Sequence, residues 1–182
     1  MKNIILVTGH NAVRYGAEHN GTREYFLSER VIKEVGAIVE KMPSPYFQLA
    51  TYTTTVNTTL VEKIEMINRM RNVDLAIELH WNFFSSPVVT GSEVFYADGD
   101  DAAWLAAEEY CRTFQEVSGV PTRGAKKDSE SQYDRLGWCR DLKCPSILVE
   151  NEFLTADCFQ EDYYYHLSVV AMIQFLAKFS RR

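Results

Sequence analysis

Three short, mainly apolar runs each lead into a side chain that could bind a metal or move a proton. The runs are residues 4–7, 74–79 and 147–149, and the side chains that follow them are His10, His80 and Glu150. Such runs are typical of β-strands, and α/β folds bind their ligands at the carboxyl ends of the strands. The sequence therefore predicts that these three side chains converge in one cleft.

The strand-like runs alternate with segments of helical periodicity, in which apolar residues recur every three or four positions. These segments are residues 25–41, 60–70 and 160–179. Further strands are expected at 46–52, followed by a threonine-rich loop, and at 93–96. The buried face of a third helix is expected to carry Trp104, Ala107, Cys111 and Phe114, and that of the last helix Leu167, Val170, Ile173 and either Phe175 or Leu176. The alternation predicts an α/β fold with a mixed or mainly parallel central sheet flanked by helices on both faces.

Length supports one domain. The chain has 182 residues, 46% of them hydrophobic, which is enough for a sizeable core and too short for two ordinary domains. We therefore expect a single domain spanning residues 1–182.

Three segments are expected to surround the cleft. Residues 11–23 are predicted to be a loop that wraps over the site, and the polar residues 121–134 a loop that borders the substrate groove. The aromatic cluster of Trp81, Phe83 and Phe84 has two interpretations. It either forms an exposed rim that stacks on substrate or is buried under the first loop.

A fourth side chain completes a zinc-binding set. Glu24 precedes an amphipathic segment, and two imidazoles with one carboxylate and an open position are typical of catalytic zinc. His10, Glu24 and His80 would be the ligands, and Glu150 would move protons. Taken singly, each residue is better explained by a structural role, because buried histidines are often only hydrogen-bonded and a glutamate at a helix start is favoured by the helix dipole. His19 is an alternative ligand.

The order and content of these segments resemble a known family. The resemblance is carried by residues 7–10, Glu24, residues 73–82 and residues 145–154, with weaker similarity at 59–69 and 119–126. Together these segments are similar to the zinc-dependent N-acetylmuramoyl-L-alanine amidases of the amidase type three family. The resemblance covers most of the chain.

The resemblance implies a role for each site residue. By position, His10, Glu24 and His80 correspond to the zinc ligands of the family, and Glu150 corresponds to its general base and acid. Glu152 stands where the family usually has glycine, so it is the alternative base. Because Glu150 directly ends the apolar run, we assign the base to Glu150 and expect Glu152 to point to solvent or to cap a turn.

The resemblance also implies a function. The chain is expected to be a Zn²⁺-dependent hydrolase that cleaves the amide between N-acetylmuramic acid and L-alanine in peptidoglycan. Alternatives are a zinc carboxypeptidase or deacetylase with the same ligand types, an inactive amidase-like domain that binds cell wall, and a purely structural domain. Peptidoglycan is the expected partner, and the protein is expected to be a monomer.

Charge and hydropathy argue against other classes. The formal net charge of -6 is unlike that of nucleic-acid-binding domains, which carry basic patches. No run approaches the roughly 20 apolar residues of a spanning helix, and no signal peptide is expected, because the first apolar run is short and lacks a small-residue cleavage site. Together with the resemblance to amidases that act on peptidoglycan, these observations imply cytoplasmic synthesis with action at the cell wall, in a phage or prophage context.

Overall fold

The computed structural model describes residues 1–43, 45–54 and 57–181. Its elements in chain order are β1 (Lys2–Thr8), β2 (Glu18–His19), β3 (Thr22–Arg23), α1 (Glu24–Glu40), β4 (Phe47–Tyr52), α2 (Leu60–Arg69), β5 (Leu75–Asn82), β6 (Ser92–Tyr96), α3 (Asp101–Ser118), β7 (Thr122–Lys127), a single 3-10 turn (Asp128–Glu130), α4 (Gly137–Arg140), β8 (Ser146–Phe153) and α5 (Glu161–Phe179).

Six strands form one central sheet in the order β4-β1-β5-β8-β6-β7. The pairs β1–β4, β1–β5, β5–β8 and β6–β7 are parallel, and β6 is antiparallel to β8. β2 and β3 form a separate short hairpin within residues 11–23. The predicted α/β fold with a mainly parallel sheet is confirmed.

Both faces of the sheet are buried, which explains why its inner strands are continuous apolar runs rather than alternating ones. Along β1, Ile4 and Leu6 point into a large core shared with α1, α3 and α5. Ile5 and Val7 point to the other face, where α2 and α4 close a smaller core. The helices therefore cover both faces, as predicted.

Local sequence signals set the ends of the helices. α2 begins with a capping box, in which the Thr59 hydroxyl accepts from the Glu62 N–H and the Glu62 carboxylate accepts from the Thr59 N–H. Asp100 caps α3 by accepting from Ala103 N at 2.9 Å, and Gly119 ends the same helix in the left-handed conformation. Among the described residues, no helix is long and apolar enough to cross a membrane.

The prediction of a loop over residues 121–134 is wrong for its first half. Thr122–Lys127 is strand β7, which lies at the edge of the sheet and pairs with β6. Its side chains are exposed or half-buried, so it has no apolar pattern from which a strand could be recognised. Backbone pairing, rather than side-chain burial, positions this segment.

The predictions of the buried faces of α3 and α5 were also partly wrong. In α3, Ala107, Cys111 and Phe114 are buried as predicted, but Trp104 is 42% exposed. In α5, the predicted Phe175 and Leu176 are buried, and Leu167 and Ile173 pack half-buried against the core, but Val170 is exposed. Apolar residues surround most of the circumference of α5, so their spacing did not separate Val170 from the buried side, to which Val169 and Met172 belong.

Candidate metal centre

The candidate residues lie at the carboxyl edge of the sheet. His80 on β5 is the register partner of Glu150 on β8, and Glu150 is the partner of Glu93 on β6. His10 follows β1, and Glu24 is the first residue of α1. The topology therefore brings together the four residues that the sequence predicted.

The carboxylate of Glu24 lies between two imidazoles. Its Oε2 is 3.1 Å from His10 Nε2, and its Oε1 is 2.7 Å from His80 Nδ1. One ligand atom from each residue lies within 4.8 Å of the other two. In the described part of the chain, His19 does not belong to this group, since it pairs with Thr22 in the β2–β3 hairpin.

The backbone around His10 is held in an uncommon conformation. His10 has a positive φ of 52°, which few residues other than glycine adopt. Its carbonyl accepts a hydrogen bond from Thr54 Oγ1 at 2.7 Å, and the Thr54 N–H donates to Thr8 Oγ1 at 3.1 Å. These bonds tie the segment after β1 to the segment after β4 and direct the imidazole of His10 toward Glu24.

Two glycines allow the main chain to pass directly against the ligand side chains. A Cβ at Gly9 would overlap the ring of His80, and one at Gly16 would overlap Glu24 Oε2. The neighbouring Ala17 N–H donates to the same Glu24 oxygen at 2.8 Å. Residues 11–23 thus wrap over the site as predicted, but the sequence analysis did not identify the role of Gly16.

Glu24 is held in its charged form. It is 4% exposed, and this burial raises its pKa, but hydrogen bonds with His10 and His80 outweigh burial and lower the pKa to about 2. The Trp81 N–H also donates to Oε1 at 3.1 Å. A buried carboxylate beside two imidazoles is a strong ligand for a divalent cation.

A second buried carboxylate contacts the opposite side of the His80 ring. Glu78 Oε2 lies 3.1 Å from His80 Nε2, and Glu78 Oε1 accepts from the Lys63 ammonium. Burial raises the pKa of Glu78, but the positive charges of Lys63 and His80 lower it to about 2. For His80, burial disfavours the charged ring, yet Glu78 and Glu24 raise the pKa of His80 well above its ordinary value.

Glu150 differs from the other carboxylates of the site because one of its oxygens has no partner. Its Oε2 is buried and accepts no hydrogen bond from any described residue. Burial raises the pKa of Glu150 well above its ordinary value, and the negative charges of Glu24 and Glu93 add to this rise against the opposing effect of His80. The arrangement suits a group that takes up and releases a proton.

Glu152 does not point to solvent, so that part of the prediction is wrong. It is fully buried, and its Oε1 accepts from Gly91 N at 2.7 Å and from Phe153 N at 2.8 Å. Its Oε2 accepts from Thr90 Oγ1 at 2.9 Å. Through these contacts Glu152 joins β8 to the segment that precedes β6.

The three residues of the aromatic cluster do not share one environment, since Trp81 is buried and Phe83 and Phe84 are exposed. Trp81 is 1% exposed and packs edge-to-face against Phe159, with ring centroids 5.9 Å apart. Phe83 and Phe84 are each 51% exposed. Of the three residues in this cluster, Phe83 and Phe84 are the ones whose side chains are exposed enough to contact a ligand.

The donor set fits a zinc ion. Two imidazole nitrogens and one carboxylate oxygen converge, which is the ligand set of many hydrolytic zinc sites. The unpartnered oxygen of Glu150 lies on the strand next to His80. His10, Glu24 and His80 could therefore hold the metal.

Several solved structures that are similar to this chain are described as amidases. N-acetylmuramoyl-L-alanine amidase AmiC2 of Nostoc punctiforme is 23% identical with a TM-score of 0.82, covering 100% of this chain and 98% of that one. An N-acetylmuramoyl-L-alanine amidase from Clostridium difficile 630 is 19% identical with a TM-score of 0.83, covering 97% and 95%. The catalytic domain of CwlV, from Bacillus (Paenibacillus) polymyxa, is 18% identical with a TM-score of 0.76, covering 94% of each chain. These similarities establish the fold.

The family follows from the sequence. The profile of the N-acetylmuramoyl-L-alanine amidase family matches residues 4–161, and the chain belongs to this family. A comparison with curated protein sequences gives no match.

Proposed function

We propose that this protein is a zinc-dependent hydrolase that cleaves the amide between N-acetylmuramic acid and L-alanine in peptidoglycan. The observation that carries the proposal is the convergence of His10, Glu24 and His80 at one point, with the unpartnered oxygen of Glu150 on the adjacent strand. Membership of the amidase family supplies the substrate class.

His10, Glu24 and His80 would hold the zinc. When bound, zinc would supply electrophilic activation of the scissile carbonyl and of water. The carboxylate of Glu24 offsets part of the metal charge, and the glycine contacts at Gly9 and Gly16 keep the ligand side chains in place.

Glu150 would move the protons of the reaction. Its carboxylate accepts a proton from the attacking water as the new C–O bond forms. The same proton is then donated to the nitrogen of L-alanine as the amide C–N bond breaks, so Glu150 ends the cycle unprotonated. A pKa raised by burial favours such a carrier, because the protonated form persists long enough to act as the acid.

The test combines metal analysis with product analysis. Purified protein is expected to contain about one zinc per chain. Incubation with intact cell walls is expected to release L-alanine amino groups without new reducing sugar ends, and a chelator is expected to stop the release. Released D-alanine or acetate would instead indicate a carboxypeptidase or a deacetylase.

Two other outcomes would contradict the proposal. New reducing ends that survive chelation would indicate a glycosidase, which needs two carboxylates and no metal. Binding to cell walls without product release would indicate an inactive wall-binding domain. The monomeric state and the phage or prophage setting, with cytoplasmic synthesis and action at the wall, belong to this proposal as well.

A further inference from the structure

A buried ion pair connects α2 to the candidate metal centre. Lys63, on α2, donates to Glu78 Oε1 and also to the carbonyl of Thr8 on β1 at 3.1 Å. Lys63 and Glu78 are 4% and 3% exposed. The ammonium also lies 5.7 Å from the ring centroid of Trp138. The pair is thus enclosed between β1, β5, α2 and α4.

A gain in folding stability is not a sufficient explanation for the buried ion pair of Lys63 and Glu78. Two buried charges lose their hydration, and apolar residues of similar volume at such positions are often equally or more stabilising. Ala76, two residues earlier on β5, lies in the apolar core beneath α2, as does Ile67 on that helix. A charged pair in this apolar setting suggests a role beyond packing.

Geometry indicates what that role is. The Nδ1 of His80 faces Glu24 at 2.7 Å, so the Nε2 on the far side of the ring faces Glu78 Oε2 at 3.1 Å. Histidines that bind metals usually direct their other ring nitrogen to a carboxylate or carbonyl, which fixes the tautomer and orientation of the ring. Among the described residues, Nε2 of His80 is not assigned a hydrogen-bond partner. The Glu78 carboxylate, 3.1 Å away, is close enough to accept a hydrogen bond from it.

We propose that Glu78, held in place by Lys63, is a positioning residue that orients the imidazole of His80 for metal binding. Lys63 neutralises the carboxylate and, through Thr8, ties it to the strand that leads to His10. The proposal rests on the proposed zinc site and adds to it a supporting pair that neither the family assignment nor the ligand set identifies.

The test measures zinc affinity by competition with a chromophoric chelator, together with the visible absorption spectrum of the Co²⁺-substituted protein. Glu78→Gln is expected to weaken zinc binding 10- to 100-fold and to shift the Co²⁺ bands, because His80 is no longer fixed. The double variant Lys63→Met/Glu78→Gln removes both charges together, so it should fold and show the same loss.

Glu93→Gln is the matched control. Glu93 is also a buried strand carboxylate paired with a lysine, since its Oε2 accepts from Lys126 Nζ at 2.5 Å. Among the described residues, its polar partners are Asn82, Arg123 and Lys126 rather than a candidate ligand histidine, so its removal should leave zinc affinity within about threefold, a change below the effect of losing a supporting residue.

The outcomes separate this inference from the proposed function. Wild-type protein that takes up no zinc would overturn both. Wild-type protein that binds zinc, with Glu78→Gln and the double variant binding it equally well and giving unchanged Co²⁺ spectra, would overturn the role of Glu78 alone. A lower melting temperature with unchanged affinity would show that the pair is merely structural.

Discussion

Glu150 and Glu152 lie two residues apart on β8 but have different surroundings. In a regular strand, residues i and i+2 point to the same face. Here the β5–β8 register shifts between His80 and Asn82, so that Asn82 pairs with Phe153. This irregularity lets Glu152 turn toward the segment at Gly91 while Glu150 stays next to His80.

The two carboxylates are therefore expected to respond differently to the same substitution. Glu150→Gln should keep its zinc and lose turnover by about 10²- to 10⁴-fold, because general base catalysis is removed. Zinc content and amino-group release from cell walls measure this. Glu152→Gln should lower the melting temperature by weakening buried hydrogen bonds worth about 1–2 kcal/mol each, with turnover per folded molecule nearly unchanged. The reverse pattern would assign the base to Glu152.

Gly9 lies so close to the ring of His80 that replacing it with alanine is expected to disturb the candidate metal centre. In Gly9→Ala the new methyl overlaps the ring of His80 and displaces it. Turnover should fall by about 10²-fold, as expected for a misplacement of about 1 Å in a catalytic site, and zinc affinity should fall with it. Gly36→Ala is the control, because its methyl would lie 3.3 Å from Thr51 Cγ2, away from the metal ligands. Equal zinc affinity in both variants would contradict this reading of Gly9.

Among single residues, the polar side chains that directly follow an apolar run were the ones that the sequence could predict. His80 and Glu150 stand out because they are polar and follow apolar residues, and the structure places them side by side. Lys63 and Glu78 were missed although a signal existed. Glu78 interrupts an apolar run, and Lys63 lies one helical turn before Ile67 on the buried side of α2. Their pairing depends on tertiary contact, which no local pattern contains.

At the scale of elements, Asp128 holds together the region between β7 and α4. It is fully buried, and both its oxygens accept from Arg140, Oδ2 from Nε at 2.5 Å and Oδ1 from Nη2 at 2.7 Å. It also accepts from the N–H groups of Asp98 and Leu136, each at 3.3 Å. One carboxylate thus connects the segments that follow β6 and β7 to the short helix α4.

Asp128→Asn is expected to destabilise the protein by about 2–3 kcal/mol near pH 7, since charge-assisted hydrogen bonds are lost. Burial raises the pKa of Asp128, but hydrogen bonds from Arg140 and two backbone N–H groups outweigh it and lower the pKa. The charged form therefore stabilises the fold above the unfolded pKa of about 3.9, and this contribution is lost as pH falls through the lower folded pKa.

Urea unfolding of both proteins between about pH 7 and pH 3 tests this linkage. The stability difference between wild type and Asp128→Asn should be largest near neutrality and should shrink as the pH approaches the acid limit. A difference that is constant with pH would show that the charge of Asp128 does not contribute.

Elements with a buried face were predictable from the sequence, and those without one were not. α2 followed from its spacing and began at the predicted residue. β7 was missed because an edge strand with half-exposed residues has no period-two pattern. The threonine-rich stretch after β4, expected to be a loop, includes Thr55 and Val56, which lie outside the described residues.

At the scale of the whole molecule, the proposed metal should add to the stability of the fold. The ligands come from three separate regions, after β1, at the start of α1 and on β5, so they converge only in the folded chain. A ligand that binds only the folded state at about 100 times its Kd adds about 2.7 kcal/mol. For a chain of this size, this corresponds to a rise in melting temperature of about 5–10 °C.

Thermal unfolding with zinc and with a chelator measures this effect. Wild-type protein should melt at the lower temperature in chelator, and His80→Ala should show no zinc-dependent rise. A rise of equal size in His80→Ala would mean that zinc binds elsewhere.

The sheet order also constrains when activity can arise during synthesis. All three proposed ligands lie within the first 80 residues, whereas β8, which carries Glu150, begins at Ser146 and fits between β5 and β6. A nascent chain that has not yet reached β8 has a gap between those two strands and no proposed base. The proposed hydrolytic site could therefore form only after β8 has been synthesised and has paired between β5 and β6.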